Sequence, residues 1–245
     1  MTAMLARPTV VPSPRPPVED APRHSAAVAY QRVLHQAVRR EFRMLAELAS
    51  WAPADDAARA ADLTGHADLL ARVLLQHHAT ERELLWPALF RCLPAREEDA
   101  ARDAIAYWTS RAALLDHMLR DLSTAARQWA VASTVPARNA FARACGRVAD
   151  QVDAHLSAEE RDLHPLLGRY LSAPEWTTVS RAATTTLSGR EQLLLLGLAL
   201  EDACAIDRAR LMAGLAPATR TAWRVVGRRN YRTTVVRLRG APPAA

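Results

Sequence analysis

HHATERELLWPAL, residues 77–89, is repeated in altered form as HLSAEERDLHPLL, residues 155–167. The two copies share a histidine, a glutamate four residues later, and then a leucine and a proline, at a constant offset of 78 residues. Residues i and i+4 lie on the same face of an α-helix, so His77 and Glu81 point the same way, as do His155 and Glu159. Each copy therefore presents one imidazole and one carboxylate in the same direction.

An imidazole and a carboxylate that converge are typical ligands of a transition metal, and a carboxylate can bridge two ions through its two oxygens. A single copy of this pattern usually forms an exposed ion pair, but two copies followed by the same leucine and proline favour a shared role. A further histidine precedes each copy, His35 before the first and His117 before the second. The pattern predicts a two-metal site whose ligands come from four helices: His35, His77, Glu81, His117, His155 and Glu159.

Helical periodicity and scarce glycine predict an all-α protein built around an up-down four-helix bundle. Turn signals divide the bundle into helices over about 26–50, 66–90, 96–131 and 137–171, with a short helical piece at 54–62 before Gly65. Three regions follow: a proline-rich, disordered segment at 1–24, the bundle at 25–171, and additional C-terminal helices at 172–245.

Composition predicts a soluble, cytoplasmic protein. Half of the residues are hydrophobic, which is enough for a sizeable core, and three scattered cysteines argue against a disulfide scaffold. The N-terminal stretch lacks the apolar run of a signal peptide, and the longest apolar run, at 193–200, is too short to span a bilayer.

The net charge of +6 comes largely from arginines near the C-terminus, between Arg208 and Arg239. A solvated basic face is the simplest interpretation of this stretch, and peripheral contact with an anionic surface is the alternative. The stretch has no helix-turn-helix pattern, so specific nucleic-acid binding is not expected.

Three neighbouring residues leave the ligand set open. His78 lies 100° around the helix from His77, which makes it either a ligand or a supporting group. Asp121 follows His117 at i+4, and Glu160 follows His155 at i+5, so each is an alternative carboxylate ligand.

The paired "HHxxE…LxxP" and "HxxxE…LxxP" patterns resemble those of the hemerythrin-like proteins, also called the HHE cation-binding domain, over about residues 25–171. The resemblance implies a four-helix bundle that holds a non-haem di-iron centre, with manganese or zinc as alternatives. It also implies that the four histidines are terminal ligands and that Glu81 and Glu159 bridge the ions. Oxygen-carrying hemerythrins have two histidines at i and i+4 on the third helix, whereas this chain has only His117 there.

The missing histidine argues against reversible oxygen carriage and leaves three functions. The first is a di-iron protein that binds iron and a small ligand, O₂, NO or peroxide, in redox or iron sensing or stress response. The second is an enzyme whose iron pair decomposes peroxide. The third is a helical interaction protein whose basic C-terminal stretch contacts nucleic acid or a membrane surface.

Overall fold

Four long helices form a ring, which the computed structural model describes within residues 25–240. They are α1 (Ala26–Trp51), α2 (Ala57–Thr80), α4 (Ala95–Ala132) and α5 (Val135–Asp162). Each packs against two others: α1 lies between α2 and α5, and α4 lies opposite α1 between the same two helices. Short connections between neighbours make this an up-down bundle, which confirms the predicted fold. The predicted proline-rich segment at 1–24 lies outside the described residues.

Side-chain caps set where the first two bundle helices begin. The Ser25 hydroxyl accepts a hydrogen bond from the Val28 amide at 3.5 Å, and the Asp56 carboxylate accepts one from the Arg59 amide at 2.9 Å. The sequence-based prediction of a separate helical piece before Gly65 is wrong, because α2 runs unbroken from Ala57 through Gly65. A glycine inside a helix costs only about 1 kcal/mol, which packing of a long helix readily offsets.

The two prolines of the repeat distort the backbone just beyond the predicted ligands. After α2 the chain makes a π-helical turn at Glu81–Leu85 before α3 (Trp86–Cys92), and after α5 it breaks at Leu163 before α6 (His164–Tyr170). Pro87 and Pro165 have no amide hydrogen to donate to the carbonyl four residues earlier, so the regular ladder fails there. The predicted fourth helix is therefore two helices, and π-helical turns often occur at functional sites.

Two hydrophobic clusters fill the bundle, with a polar layer between them. The larger cluster, at the end where α1 is joined to α2 and α4 to α5, contains Phe42, Leu70, Leu119 and Phe141. The other contains Leu85, Leu89, Trp108 and Leu167. Between these two clusters the sequence supplies histidines and glutamates on α1, α2 and α5. The polar layer therefore lies inside the bundle, away from solvent.

Up to residue 240, where the described part of the chain ends, five further helices follow the bundle and form what we call the C-terminal extension. They are α7 (Ala173–Ala182), α8 (Gly189–Glu201), α9 (Ala205–Gly214), α10 (Pro217–Ala222) and, after a π-helical turn at Trp223–Gly227, α11 (Arg228–Arg239). The extension packs on α1 through α7, α8 and α9, and on α2 through α11. A Cβ on Gly197 would lie 2.3 Å from the Tyr231 ring, so only glycine permits the close approach of α8 and α11.

A buried ionic network ties the extension to the bundle. Glu41 of α1 is 0% exposed and bonds to His66 at 2.8 Å and to Arg239 of α11 at 2.6 Å. Arg239 also bonds to Glu201 of α8 at 2.6 Å. Charges buried in this way are stable only when they are paired, so the network fixes where α8 and α11 dock.

The basic C-terminal stretch is only partly exposed. Arg237 pairs with Asp62 at 3.1 Å, and Arg239 belongs to the buried network, so part of the positive charge is neutralised within the protein. Tyr231, Val235 and Leu238 form the buried face of α11. Contact of the remaining arginines with an anionic surface stays a prediction. Among residues 25–240, no helix combines the length and the apolar character needed to cross a bilayer.

Candidate metal centre

Five of the six predicted ligands lie together in the polar layer of the bundle. His35 comes from α1, His77 from the last turn of α2, Glu81 from the start of the π-helical turn, and His155 and Glu159 from α5. All five are buried. Three helices of the ring therefore bring three imidazoles and two carboxylates to one place.

The ligand atoms of His35, His77 and Glu159 all lie within 4.8 Å of one another. The His35 and His77 Nε2 atoms are 3.3 Å apart, and Glu81 Oε1 lies 3.3 Å from His77 Nε2. Two nitrogens bound to one metal at about 2.0–2.1 Å lie roughly 2.9–3.4 Å apart in octahedral or tetrahedral geometry. The two imidazoles are therefore spaced as they would be around a shared ion.

A second group of donors faces α4 around a small cavity of about 10 Å³. His78, His155, Glu81 and Glu159 line this cavity on one side, and Trp108 and Ala112 of α4 line it on the other. A volume of this size holds about one water molecule, or one ion. Glu159 serves both groups, since Oε1 lies 3.9 Å from His35 Nε2 and Oε2 lies 3.8 Å from His155 Nε2.

Several buried donor atoms have no hydrogen-bond partner among the described residues. They are Nε2 of His78, both ring nitrogens of His155, both carboxylate oxygens of Glu159 and Nε2 of His164. A buried polar atom without a partner costs about 1–3 kcal/mol, so a cluster of them is unfavourable unless something else binds there. Imidazole nitrogens and carboxylate oxygens are metal ligands, so the residues fit bound metal cations.

Three hydrogen bonds to neighbouring side chains orient His35, His78 and Glu81. His35 Nδ1 donates to Glu160 at 3.0 Å, and His78 Nδ1 donates to Asp116 at 2.6 Å, which leaves each Nε2 lone pair directed at the cluster. Gln31 Nε2 donates to Glu81 Oε1 at 2.9 Å. Carboxylates that hold the far nitrogen of a histidine are the usual support of a metal ligand. Glu160 is thus placed as a supporting group, and Arg39 also binds it at 2.7 Å.

Burial keeps His77 and His155 neutral. It lowers the pKa of His77 to about 3 despite the nearby charge of Glu81, and it lowers the pKa of His155 to about 4, with further lowering by His78. Burial, and then the charge of Glu81, raise the pKa of Glu159 well above its usual value. Burial alone would raise the pKa of Glu160, but hydrogen bonds from His35 and Arg39 lower it to about 2. The imidazoles of His77 and His155 are consequently unprotonated, as metal binding requires.

The structure corrects the prediction for His117, which lies on the outer face of α4 with its side chain 66% exposed. The buried face of α4 is formed by Trp108, Ala112, Leu115 and Leu119. His117 is two positions from both Leu115 and Leu119, about 200° around the helix, so it points to solvent. Asp121, the alternative carboxylate, is also exposed, at 62%, and lies 3.8 Å from His117. These two residues form an exposed i,i+4 pair.

Two histidines that the sequence-based ligand set left out do reach the cluster. His78 is buried, and its ring meets that of His155 edge-on, with centroids 5.5 Å apart. His164 stacks on His35 with centroids 5.8 Å apart, and burial lowers its pKa to about 4. His164 occupies the repeat position of Trp86, so comparison of the two copies gave no signal for it. The doubled histidine at 77–78 was the only sequence signal for His78.

Replacing His117 with alanine is expected to leave both metal content and stability unchanged. Exposed substitutions away from special features usually change stability by less than about 0.5 kcal/mol. His78→Ala is the matched variant, since it removes a histidine that faces the cluster, and it should reduce bound metal. Metal per chain measured by elemental analysis of both variants checks this. Loss of metal in His117→Ala with none in His78→Ala would reverse the assignment.

Comparison with known proteins gives one match and two negative results. The family model of the hemerythrin HHE cation-binding domain matches residues 27–167, which is more than half of the chain. No curated protein and no solved structure matches significantly. The matched range contains the four long helices, apart from the first residue of α1, and every clustered donor described above. The chain therefore belongs to the hemerythrin HHE cation-binding domain family.

Proposed function

We propose that this protein is a non-haem di-iron protein that binds a small ligand, O₂, NO or peroxide, at a buried centre. In this proposal His35, His77 and His164 would hold one ion, His78 and His155 would hold the other, and Glu81 and Glu159 would supply carboxylates to both. The single observation that carries the proposal is the set of buried donor atoms without partners, which three helices bring together around Glu159.

Mixed imidazole and carboxylate donors favour iron or manganese, and zinc is the other cation that this set accepts. Thiolate ligands, which would favour zinc or an iron–sulfur cluster, play no part in the described cluster. Its carboxylates supply the negative charge that stabilises a higher oxidation state. Iron bound there would supply the coordination positions and the electrons for a small oxygen- or nitrogen-containing ligand.

The side of the centre that faces α4 is the proposed place of that ligand. There the wall consists of Trp108, Thr109 and Ala112, which offer the ions no imidazole or carboxylate. The cavity is about 10 Å³, room for about one water-sized group, so the space favours a ligand of very few atoms and excludes larger substrates. The apolar Trp108 and Ala112 side chains also limit water at this position.

Substitution of Ala112 tests the ligand position without touching a donor. Ala112→Leu should fill the small cavity, whereas Ala113→Leu, on the exposed face of the same helix, should not. We expect the iron-loaded protein to bind NO, with a new visible absorption, and Ala112→Leu to weaken that binding about tenfold or more while retaining its iron. Equal NO binding by both variants would contradict the proposed ligand position.

Peroxide decomposition is the second candidate function. The α4 wall offers no imidazole or carboxylate to a bound ion, which would leave coordination positions open on that side. A redox-active ion with open coordination positions can turn over a substrate. The same iron-loaded protein is mixed with peroxide, and evolved oxygen is measured. If the protein evolves oxygen and the double variant Glu81→Ala/Glu159→Ala does not, the result supports an enzyme. Peroxide that is bound or reduced once, with no oxygen evolved, supports a sensor.

A further inference from the structure

A second and much larger cavity, of about 810 Å³, lies between the bundle and the C-terminal extension. Its bundle wall comes from α1, α2 and the π-helical turn, and its other wall comes from α7, α8, α9 and the segment between α7 and α8. Binding sites for small organic molecules usually have volumes of about 300–1,000 Å³. We propose that this cavity binds a neutral, mainly apolar organic molecule that carries one hydrogen-bond donor such as a hydroxyl.

The walls of the cavity are suited to an apolar body. Leu34, Val73 and Leu85 line the bundle side, and Val179, Leu195 and Leu211 line the extension side. Tyr30 and Trp176 add two aromatic rings whose centroids are 5.4 Å apart. Apolar and aromatic walls with a few placed polar groups are typical of organic ligand sites.

Tyr30 forms part of the cavity wall. Its side chain is 42% exposed, yet burial raises the pKa of its hydroxyl, and the charge of Glu81 raises it further. The uncovered part of the Tyr30 ring therefore belongs to the wall that a ligand would contact. An apolar ligand that filled this space would remove the exposed part of the Tyr30 ring from water.

Gln31 offers a buried hydrogen-bond acceptor, so we expect the ligand to carry a hydrogen-bond donor. Gln31 is 2% exposed and lines the cavity, and its Nε2 is bound to Glu81. Its Oε1 is buried and finds no hydrogen-bond partner within the described part of the chain. An unpaired buried carbonyl accepts a donor from any molecule that fills the cavity. The adjacent carboxylate of Glu81 disfavours an anionic group at this end, so the expected polar group is neutral.

Two adjacent threonines on α7 allow a matched test. Thr177 and Thr178 are both exposed, and each donates its hydroxyl to the carbonyl four residues earlier, at 2.9 and 3.1 Å. Only Thr177 lines the cavity. Thr177→Trp should therefore fill part of the cavity, while Thr178→Trp adds the same bulk on the outside. Ala213→Trp, which fills the cavity from α9, is the second variant if Thr177→Trp fails to fold.

The experiment is a calorimetric titration of the full-length, metal-free protein with 2-naphthol, and with 2-methoxynaphthalene as the probe without a donor. Because metal is absent, the result does not depend on the proposed di-iron function. We expect saturable binding of 2-naphthol, about tenfold weaker binding by Thr177→Trp or Ala213→Trp, and unchanged binding by Thr178→Trp. The methyl ether should bind several-fold more weakly than 2-naphthol.

Three outcomes would overturn the inference. The first is no saturable binding of either probe by the unmodified protein. The second is equal binding by Thr177→Trp, Ala213→Trp and Thr178→Trp, which would place the probe on the surface. The third is equal affinity for 2-naphthol and its methyl ether, which would remove the role of Gln31 as acceptor.

Discussion

Glu159→Gln is expected to weaken metal binding by more than 100-fold and, at the same time, to stabilise the metal-free protein. Glu159 reaches toward both His35 and His155 and is the proposed bridge between the two ions. Loss of a partner that only supports a ligand costs about 10–100-fold in metal affinity, so loss of a bridging ligand should cost more. Without metal, however, burial and the charge of Glu81 raise the pKa of the Glu159 carboxyl well above its usual value, so the ionised carboxylate is disfavoured in the fold and a neutral amide removes that cost.

These opposite effects are measured by metal titration and by chemical unfolding of the metal-free protein. Glu83→Gln, an exposed glutamate in the same π-helical turn as Glu81, is the matched control and should change neither quantity. A variant Glu159→Gln that is less stable without metal would indicate a purely structural carboxylate. Retained metal affinity would exclude Glu159 as a bridging ligand.

Acid is expected to destabilise the metal-free protein well above the pH at which its carboxylates protonate. The pKa of His77 is about 3 and those of His155 and His164 are about 4, against about 6.5 for an unfolded histidine. Between pH 6.5 and about 4 the unfolded chain therefore binds more protons, so stability falls as the pH falls through this window. At pH 5 the loss is on the order of 2 kcal/mol for each histidine.

Glu159 has the opposite effect on stability. Its pKa is raised in the folded protein, so the folded state binds this proton more readily and gains stability as the pH falls. One carboxylate opposes three histidines, so the net effect remains a loss of stability. Unfolding free energies at pH 7 and pH 5 test this, with His155→Gln as the variant that should show a smaller difference. A free energy of unfolding that does not change between these two pH values would contradict the burial of neutral histidines.

Much of the fold and most of the centre could be predicted from the repeat itself. The shared spacing identified His77, Glu81, His155 and Glu159, and the histidine upstream identified His35, all of which the structure brings together. The register of α4 could not be fixed in the same way, because its buried face at the level of the centre is marked by Ala112, a small residue that gives a weak hydrophobic signal. His117 was assigned to the centre from its separation along the chain, not from its helical face.

The other differences between the predicted and the observed helices, and the docking of the C-terminal extension, have causes that the repeat does not contain. The Asp56 cap starts α2 at Ala57, well before Gly65, and Pro165 divides the fourth helix, although the same proline pattern in the first copy is accompanied only by a π-helical turn. Docking of the C-terminal extension depends on pairs such as Glu41 with Arg239, which are 198 residues apart. Such pairs leave no short-range pattern in the sequence. The cytoplasmic location stays a prediction.

The number of metal ions bound by each chain tests the central claim most directly. The protein is loaded with Fe(II) without oxygen, freed of excess metal, and analysed for iron, manganese and zinc together with protein concentration. The proposed centre predicts about two iron ions per chain in the unmodified protein and in His117→Ala, and a large loss in Glu81→Ala/Glu159→Ala. Retention of the metal by the double variant, or an unmodified protein without bound metal, would contradict it.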